Sequence, residues 1–236
     1  MTLATPAPAP QLDSAVEEAI VTRHSMRAFL PTPVPRETVQ HLLKVASRAP
    51  SGTNVQPWKI YVLTGETKTR LSDALVDAHF NANAENQPEH NEFPKVLPEP
   101  YKSRQRQLGW ELLGLCGVQK GDREAGRKQH ARNYQFFDAP VGMIFTLERA
   151  MDVVGIWFDY GMLLQNIMIA ARGMGLHTCP QAAFRKYHRL IRKELSISDD
   201  EVIVCGMALG YADMSAPENS LVTPREPLES YTTFLD

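Results

Sequence analysis

The chain has 236 residues, enough for one domain or a short pair, and its hydrophobic fraction of 43% suffices for a real core. A formal net charge of -2 leaves no global field to recruit nucleic acid. The three cysteines, Cys116, Cys179 and Cys205, are scattered with no CxxC pair, which argues against a disulfide framework and for a reducing, cytoplasmic compartment.

Met1 to Pro10 is rich in Ala and Pro and lacks the basic and apolar regions of a signal peptide. It reads as a flexible arm over residues 1–11, ahead of one domain over 12–236. Asp13 or Ser14 can cap a first helix with Val16, Ala19 and Ile20 on one face, ending at the Arg23 cluster. Pro33-Val34-Pro35 resets the chain. A second helix carries Val39, Leu42, Leu43 and Ala46 at helical spacing and stops at Ala49-Pro50. Lys59 to Leu63 reads as a strand closed by Thr64-Gly65, and Leu71 and Leu75 mark a third helix.

Residues 81–132 form a long, lid-like excursion. It is polar up to Pro100, then helical through Leu108, Leu112 and Leu115, and helical again from Gly121-Asp122 to Asn133-Tyr134. Val141 to Leu147 is an apolar strand. Val153 to Arg172 is apolar nearly all round and terminates at Gly173 and Gly175. Its interruptions at Asp159, Gln165 and Asn166 favour a core helix buried on most sides over a membrane span. Tyr187 to Leu195 is helical, Val202 to Tyr211 is a buried strand, and the tail from Pro217 to Asp236 is expected to pack on something, a partner subunit included. Few strands separated by helices give an α+β arrangement. No strand runs into GxGxxG, which excludes a doubly wound dinucleotide site.

Two stretches carry the chemistry. Arg23-His24-Ser25-Met26-Arg27 sets two guanidiniums, an imidazole and a hydroxyl within one turn's reach, the donors that suit phosphate oxygens. Alone, such a turn is more often a solvated helix end. Ala49-Pro50-Ser51-Gly52-Thr53-Asn54-Val55-Gln56-Pro57-Trp58 has turn chemistry at both ends, and Ser51 and Asn54 can hydrogen-bond the edge of a flat heteroaromatic ring. The seven histidines show no metal-binding spacing. Cys179 beside His177 is a weaker alternative, a nucleophile that would need a lowered pKa.

Taken with Pro33-Val34-Pro35 and the later stretches Cys179-Pro180-Gln181-Ala182-Ala183 and Asn219-Ser220-Leu221-Val222-Thr223-Pro224-Arg225-Glu226-Pro227, the chain resembles the FMN-dependent nitroreductase family, nearest its nitrobenzoate reductases. The resemblance implies a three-layer sandwich, a central mostly antiparallel sheet flanked by helices, in an intertwined homodimer. It implies FMN held by Arg23, His24, Ser25, Arg27 and Arg225 at the phosphate and by Pro50, Ser51 and Asn54 at the ring. Pro180, Gln181 and Ala182 would approach N5, with the Pro50–Asn54 stretch able to come from the other subunit. The implied reaction is ping-pong reduction of nitroaromatic compounds to hydroxylamines with NADH or NADPH, requiring no catalytic side chain and no metal. Flavin or quinone reduction, reductive dehalogenation and non-catalytic flavin carriage are the alternatives. Lys95, Lys102, Arg104 and Arg106, near Phe93, Tyr101 and Trp110, would offer a cationic edge to a nitroaromatic carboxylate if the excursion closes over the flavin.

Overall fold

The computed structural model describes residues 14–81 and 86–235, so the arm expected over 1–11 and the alternative cap Asp13 lie outside the described residues. The strands are β1 (Lys59–Leu63), β2 (Val141–Glu148), β3 (His177–Gln181) and β4 (Glu201–Gly210). They form one antiparallel sheet in the order β1-β2-β4-β3. The helices are α1 (Ala15–Thr22), α2 (Arg36–Ala46), α3 (Gly65–Phe80), α4 (Tyr101–Leu115), α5 (Arg123–Ala131), α6 (Val154–Gly173) and α7 (His188–Leu195).

Three layers follow from the two faces of the sheet. Val141, Met143, Phe145 and Leu147 alternate along β2 and meet Val39, Leu42 and Ala46 of α2 with Ile156, Leu163 and Ile167 of α6. On the other face, Ile144 and Ala208 meet Leu71 and Leu75 of α3, Ile191 of α7 and the aromatic turn residues Tyr134, Phe136 and Phe184. In β4 both Val204 and Cys205 face the α2–α6 side. The pairing of β2 with β4 slips at Phe145/Thr146, where one extra β4 residue is accommodated as a bulge and reverses the parity. Gly142 and Gly206 let rings lie flat on the sheet: a Cβ at Gly142 would stand 2.7 Å from Phe136, and one at Gly206 would stand 2.5 Å from Phe184. The two rings stack with centroids 4.6 Å apart.

Four expectations need correction. Pro180 belongs to a strand, β3, where the sequence pattern predicts none; β3 ends the sheet order, where the N–H that proline lacks need not join a β4 pair. The helix begun at Asp122, whose side chain accepts from Ala125 N, ends at Ala131, and residues 132–138 continue as a tighter turn with Phe136, Phe137 and Asp138 at positive φ. In α1, capped by Ser14, only Ala19 of the expected face is buried, while Val16 and Ile20 are exposed. Finally, α6 is long and apolar enough to cross a membrane, and its inner face packs on α1, α2 and β3, but its outer face is not covered by the described residues: Phe158 is 72% exposed.

Candidate functional site

The residues after α1 run along the open side of β3. Ser25 bridges Thr178 in parallel and Met26 N donates to Thr178 O at 3.1 Å. Further on, Leu30 N donates to Tyr211 O at 2.8 Å and Asp213 N donates to Ala28 O at 3.0 Å. Extended backbone makes side chains alternate, so Met26 and Ala28 are buried while Ser25 and Arg27 stay half-buried on the outer side. Asn219, 1% exposed, fixes the register. Its Oδ1 accepts from Arg27 N at 2.7 Å, and its Nδ2 donates to Ala28 O and Asp213 O, both at 2.8 Å. His24 Nδ1 donates to Leu221 O at 3.3 Å, which brings the C-terminal segment alongside.

Arg23, Ser25, Arg27, Arg225, Pro180, Gln181 and Ala182 therefore lie around one end of the sheet. Arg23 and Arg225 are near enough to repel one another. Burial and then the charge of Arg225 hold the Arg23 guanidinium below its ordinary range. Arg27 donates to Ser25 O, and Arg225 folds back on Thr223 and Pro224. Among the described residues, none of the three arginines pairs with a carboxylate. Such a set of uncompensated cations with a hydroxyl fits a phosphate group, the charge it lacks. Gln181 Nε2 donates to Asn133 O at 2.6 Å, and its Oε1 is buried without a partner. The Cys179 thiol is buried and pushed up by that burial, which removes the nucleophile alternative.

Pro50, Ser51 and Asn54 are not brought to this cluster. They stand on the N-terminal half of α6, where Gly52 N donates to Asp159. The first cluster meets the C-terminal half, where Arg172 Nε donates to Thr22 Oγ1 at 3.0 Å. Thirteen helical steps along α6, from Asp159 to Arg172, separate those two anchors, about 20 Å at the helical rise. Among the described residues, no hydrogen bond joins the two groups. Pro50 and Asn54 are exposed, Ser51 is half-buried, and Ser51 Oγ accepts from Gln56 N, so that hydroxyl shapes the turn. An apolar recess of about 530 Å³, lined by Pro50, Trp157, Phe158, Met162 and Asn166 among others, opens beside the turn.

In the excursion, α5 packs on residues 132–138, and α4 leans on the segment Pro217–Ser220 without burying any residue. Arg104 already pairs with Glu226 at 2.9 Å and lies over Tyr101, so its charge is matched within the chain. Two residues escaped the reading of the sequence. Asp159 was visible only as an interruption of an apolar helix, and Asn219 only as part of a quoted stretch.

The Nitroreductase family model matches residues 20–211. Over 220 residues the chain is 42% identical to the chloronitrobenzene nitroreductase of Comamonas testosteroni, covering 93% of this chain and 96% of that protein. It is also 42% identical over 220 residues to the 4-nitrobenzoate reductase of Pseudomonas putida, covering 93% and 95%. Among solved structures it matches the FMN and NADPH-dependent nitroreductase NfnB from Sphigopyxis sp. strain HMH with a TM-score of 0.89 at 36% identity, covering 94% of this chain and 99% of that one.

Proposed function

Because the chain belongs to the nitroreductase family, we propose that it is an FMN-dependent NAD(P)H oxidoreductase that reduces nitroaromatic compounds, nitrobenzoates among them. Bound FMN supplies the redox chemistry, taking hydride from the nicotinamide and passing electrons to the nitro group. Arg23, His24, Ser25, Arg27 and Arg225 hold its phosphate. Pro180, Gln181 and Ala182 border the ring, kept in place by the bond from Gln181 to Asn133 and by the Phe136–Phe184 stack beneath. Ser51 and Asn54, with Pro50, meet the ring's polar edge.

The same reading makes the protein a homodimer, with the turn at Pro50–Asn54 completing the site of the other subunit. What supports this is the apolar surface that the described residues leave bare: Val16 and Ile20 of α1, Phe158 of α6, and Tyr231 and Phe234 of the tail, 71% and 77% exposed. Three unpaired thiols accord with a cytoplasmic location. The excursion over 81–132 would border the acceptor, but Arg104 is committed to Glu226, so a carboxylate on the acceptor must find its charge elsewhere.

The observation that carries the reading is the set Arg23, Arg27 and Arg225, gathered at β3 with no carboxylate partner among the described residues. The test is reconstitution with FMN, followed by anaerobic NADH or NADPH and then 4-nitrobenzoate or nitrobenzene. The yellow protein should bleach with the nicotinamide and recolour with the nitroaromatic, and the heat-released cofactor should run as FMN. A protein that takes up no flavin, or releases FAD, contradicts the reading.

A further inference from the structure

The turn beside α6 departs from ordinary backbone geometry. Thr53, Asn54 and Gln56 have φ of 47°, 63° and 50°. Residues other than glycine keep that region only where their surroundings fix it. Within the turn, Asn54 N donates to Ser51 O at 2.9 Å, Val55 N to Gly52 O at 3.1 Å and Gln56 N to Ser51 Oγ at 3.0 Å. These bonds set its shape but not its position. Among the described residues, the hydrogen bonds leading out of 51–56 run from Gly52 N alone, 3.2 Å from each carboxylate oxygen of Asp159. Asp159 is 4% exposed and has no cationic partner among the described residues. A buried carboxylate requires a donor, and the one available is the N–H that opens this turn.

We infer that Asp159 is the positioning residue of the ring-edge half of the site: by receiving the Gly52 N–H it holds Ser51 and Asn54 at the place from which they meet the flavin. The inference rests on the reading that Ser51 and Asn54 face bound FMN. Asp159 acts through the turn and touches no reacting atom. Its place in the sequence, one polar residue inside an apolar helix, follows from this duty: the rest of α6 is built for burial, and this position for gripping a loop.

The bond can be removed from either side. Asp159→Ala removes the acceptor, whereas Asp159→Asn keeps an amide oxygen that can still accept. Gly52→Pro removes the donor without changing the sequence of α6, and its Cδ, standing where the N–H pointed, also pushes the turn away from the Asp159 carboxylate. Proline suits the position, since Ser51 is extended at φ -145° and ψ 153° and residue 52 opens the turn. A Cβ at Gly52 meets nothing closer than Asp159 Oδ2 at 3.9 Å, so the contact that proline changes is the one at its nitrogen, with Asp159.

The experiment titrates FMN into wild-type protein and these three variants by fluorescence quenching, with circular dichroism and sedimentation as controls for fold and assembly. Asp159→Ala and Gly52→Pro should each weaken FMN binding about tenfold. Both should also alter the visible band of the bound flavin, with fold and assembly retained, and Asp159→Asn should recover most of the affinity. Affinities of Asp159→Ala and Gly52→Pro equal to wild type overturn the inference, as does a loss that Asp159→Asn fails to rescue. If Asp159→Ala does not fold, Gly52→Pro decides alone. Wild-type protein that binds no FMN rejects the parent reading as well, an outcome visible before any variant is measured.

Discussion

The two halves of the proposed site are held in opposite ways. The phosphate half, Arg23 to Phe29, is woven into the sheet: it bridges β3, bonds to the strand end at Tyr211, and is tied by the buried Asn219. The ring half, Ser51 to Gln56, is exposed, strained at three residues and anchored through Gly52 to Asp159. A subunit can complete the first half from its own core, because an anion clamp needs only fixed backbone and converging charge. The second half projects from α6 beside bare apolar surface, where a second subunit has reason to sit. The difference predicts which half tolerates change and in what currency each responds.

The largest effect is expected at Arg27→Ala. Removing a charge-assisted phosphate partner costs about 2–5 kcal/mol of binding. Flavin retention on dialysis should collapse while unfolding by denaturant is little altered. Unchanged retention would reduce Arg27 to surface charge and dissolve the distinction between the halves. Asn219→Ala strikes the frame of the same half. It leaves the Arg27 N–H without its acceptor, while Ala28 O and Asp213 O keep the backbone donors Asp213 N and Ala216 N, at a cost of about 1–3 kcal/mol in stability. Denaturant unfolding of the flavin-free protein measures that cost, and an unshifted midpoint would show that the clamp stands without Asn219.

How much of this was legible in the sequence differs between the halves too. The clamp and the turn announced themselves by residue type, since guanidiniums beside a hydroxyl and Pro-Ser-Gly punctuation have physical meanings that need no fold. The helices α2 and α3 and the strands β1, β2 and β4 followed from periodicity. β3 did not: five residues, His-Thr-Cys-Pro-Gln, carry no alternation and include a proline. Without β3 the clamp had nothing to lie against, and Asn219 had no visible role. Asp159 was hidden for the reverse reason, because an apolar helix makes one carboxylate look like noise. The uncovered faces of α1 and α6 were misjudged because apolar spacing marks a surface for burial without saying which molecule buries it.

A gain is expected in the ring half. Thr53 is β-branched at positive φ, a region that costs such residues roughly 1–2 kcal/mol and glycine almost nothing. Thr53→Gly should therefore raise the melting temperature of the flavin-free protein, by the equivalent of about 1 kcal/mol. A fall would show that the turn is not strained and that the contrast with the clamp is one of exposure only.

The smallest effect concerns pH and belongs to the clamp. Burial, with the charges of Arg172 and His24, holds His177 below the usual imidazole range. Between about pH 6.5 and that lower value the unfolded chain takes a proton that the folded one resists. Stability is thus unaffected above this window and falls as pH drops through it. His79, His130 and His188 are shifted in the same direction, so the comparison is of slopes: His177→Asn should flatten the decline of melting temperature with pH relative to wild type. Identical slopes would remove His177 from the account.

The central claim, that one subunit supplies the clamp and the other the turn, is tested most directly by mixing two crippled proteins. Arg27→Ala lacks the clamp, and a Ser51→Ala/Asn54→Ala double variant lacks the turn. On the proposed reading, the homodimer of each variant has two damaged sites. After subunit exchange, a mixed dimer gathers both lesions at one site and leaves the other wild type. Bound FMN and nitroreductase activity measured on the mixture should therefore rise well above the mean of the two parents. A mixture that never exceeds that mean would place both halves of each site in a single chain and contradict the account.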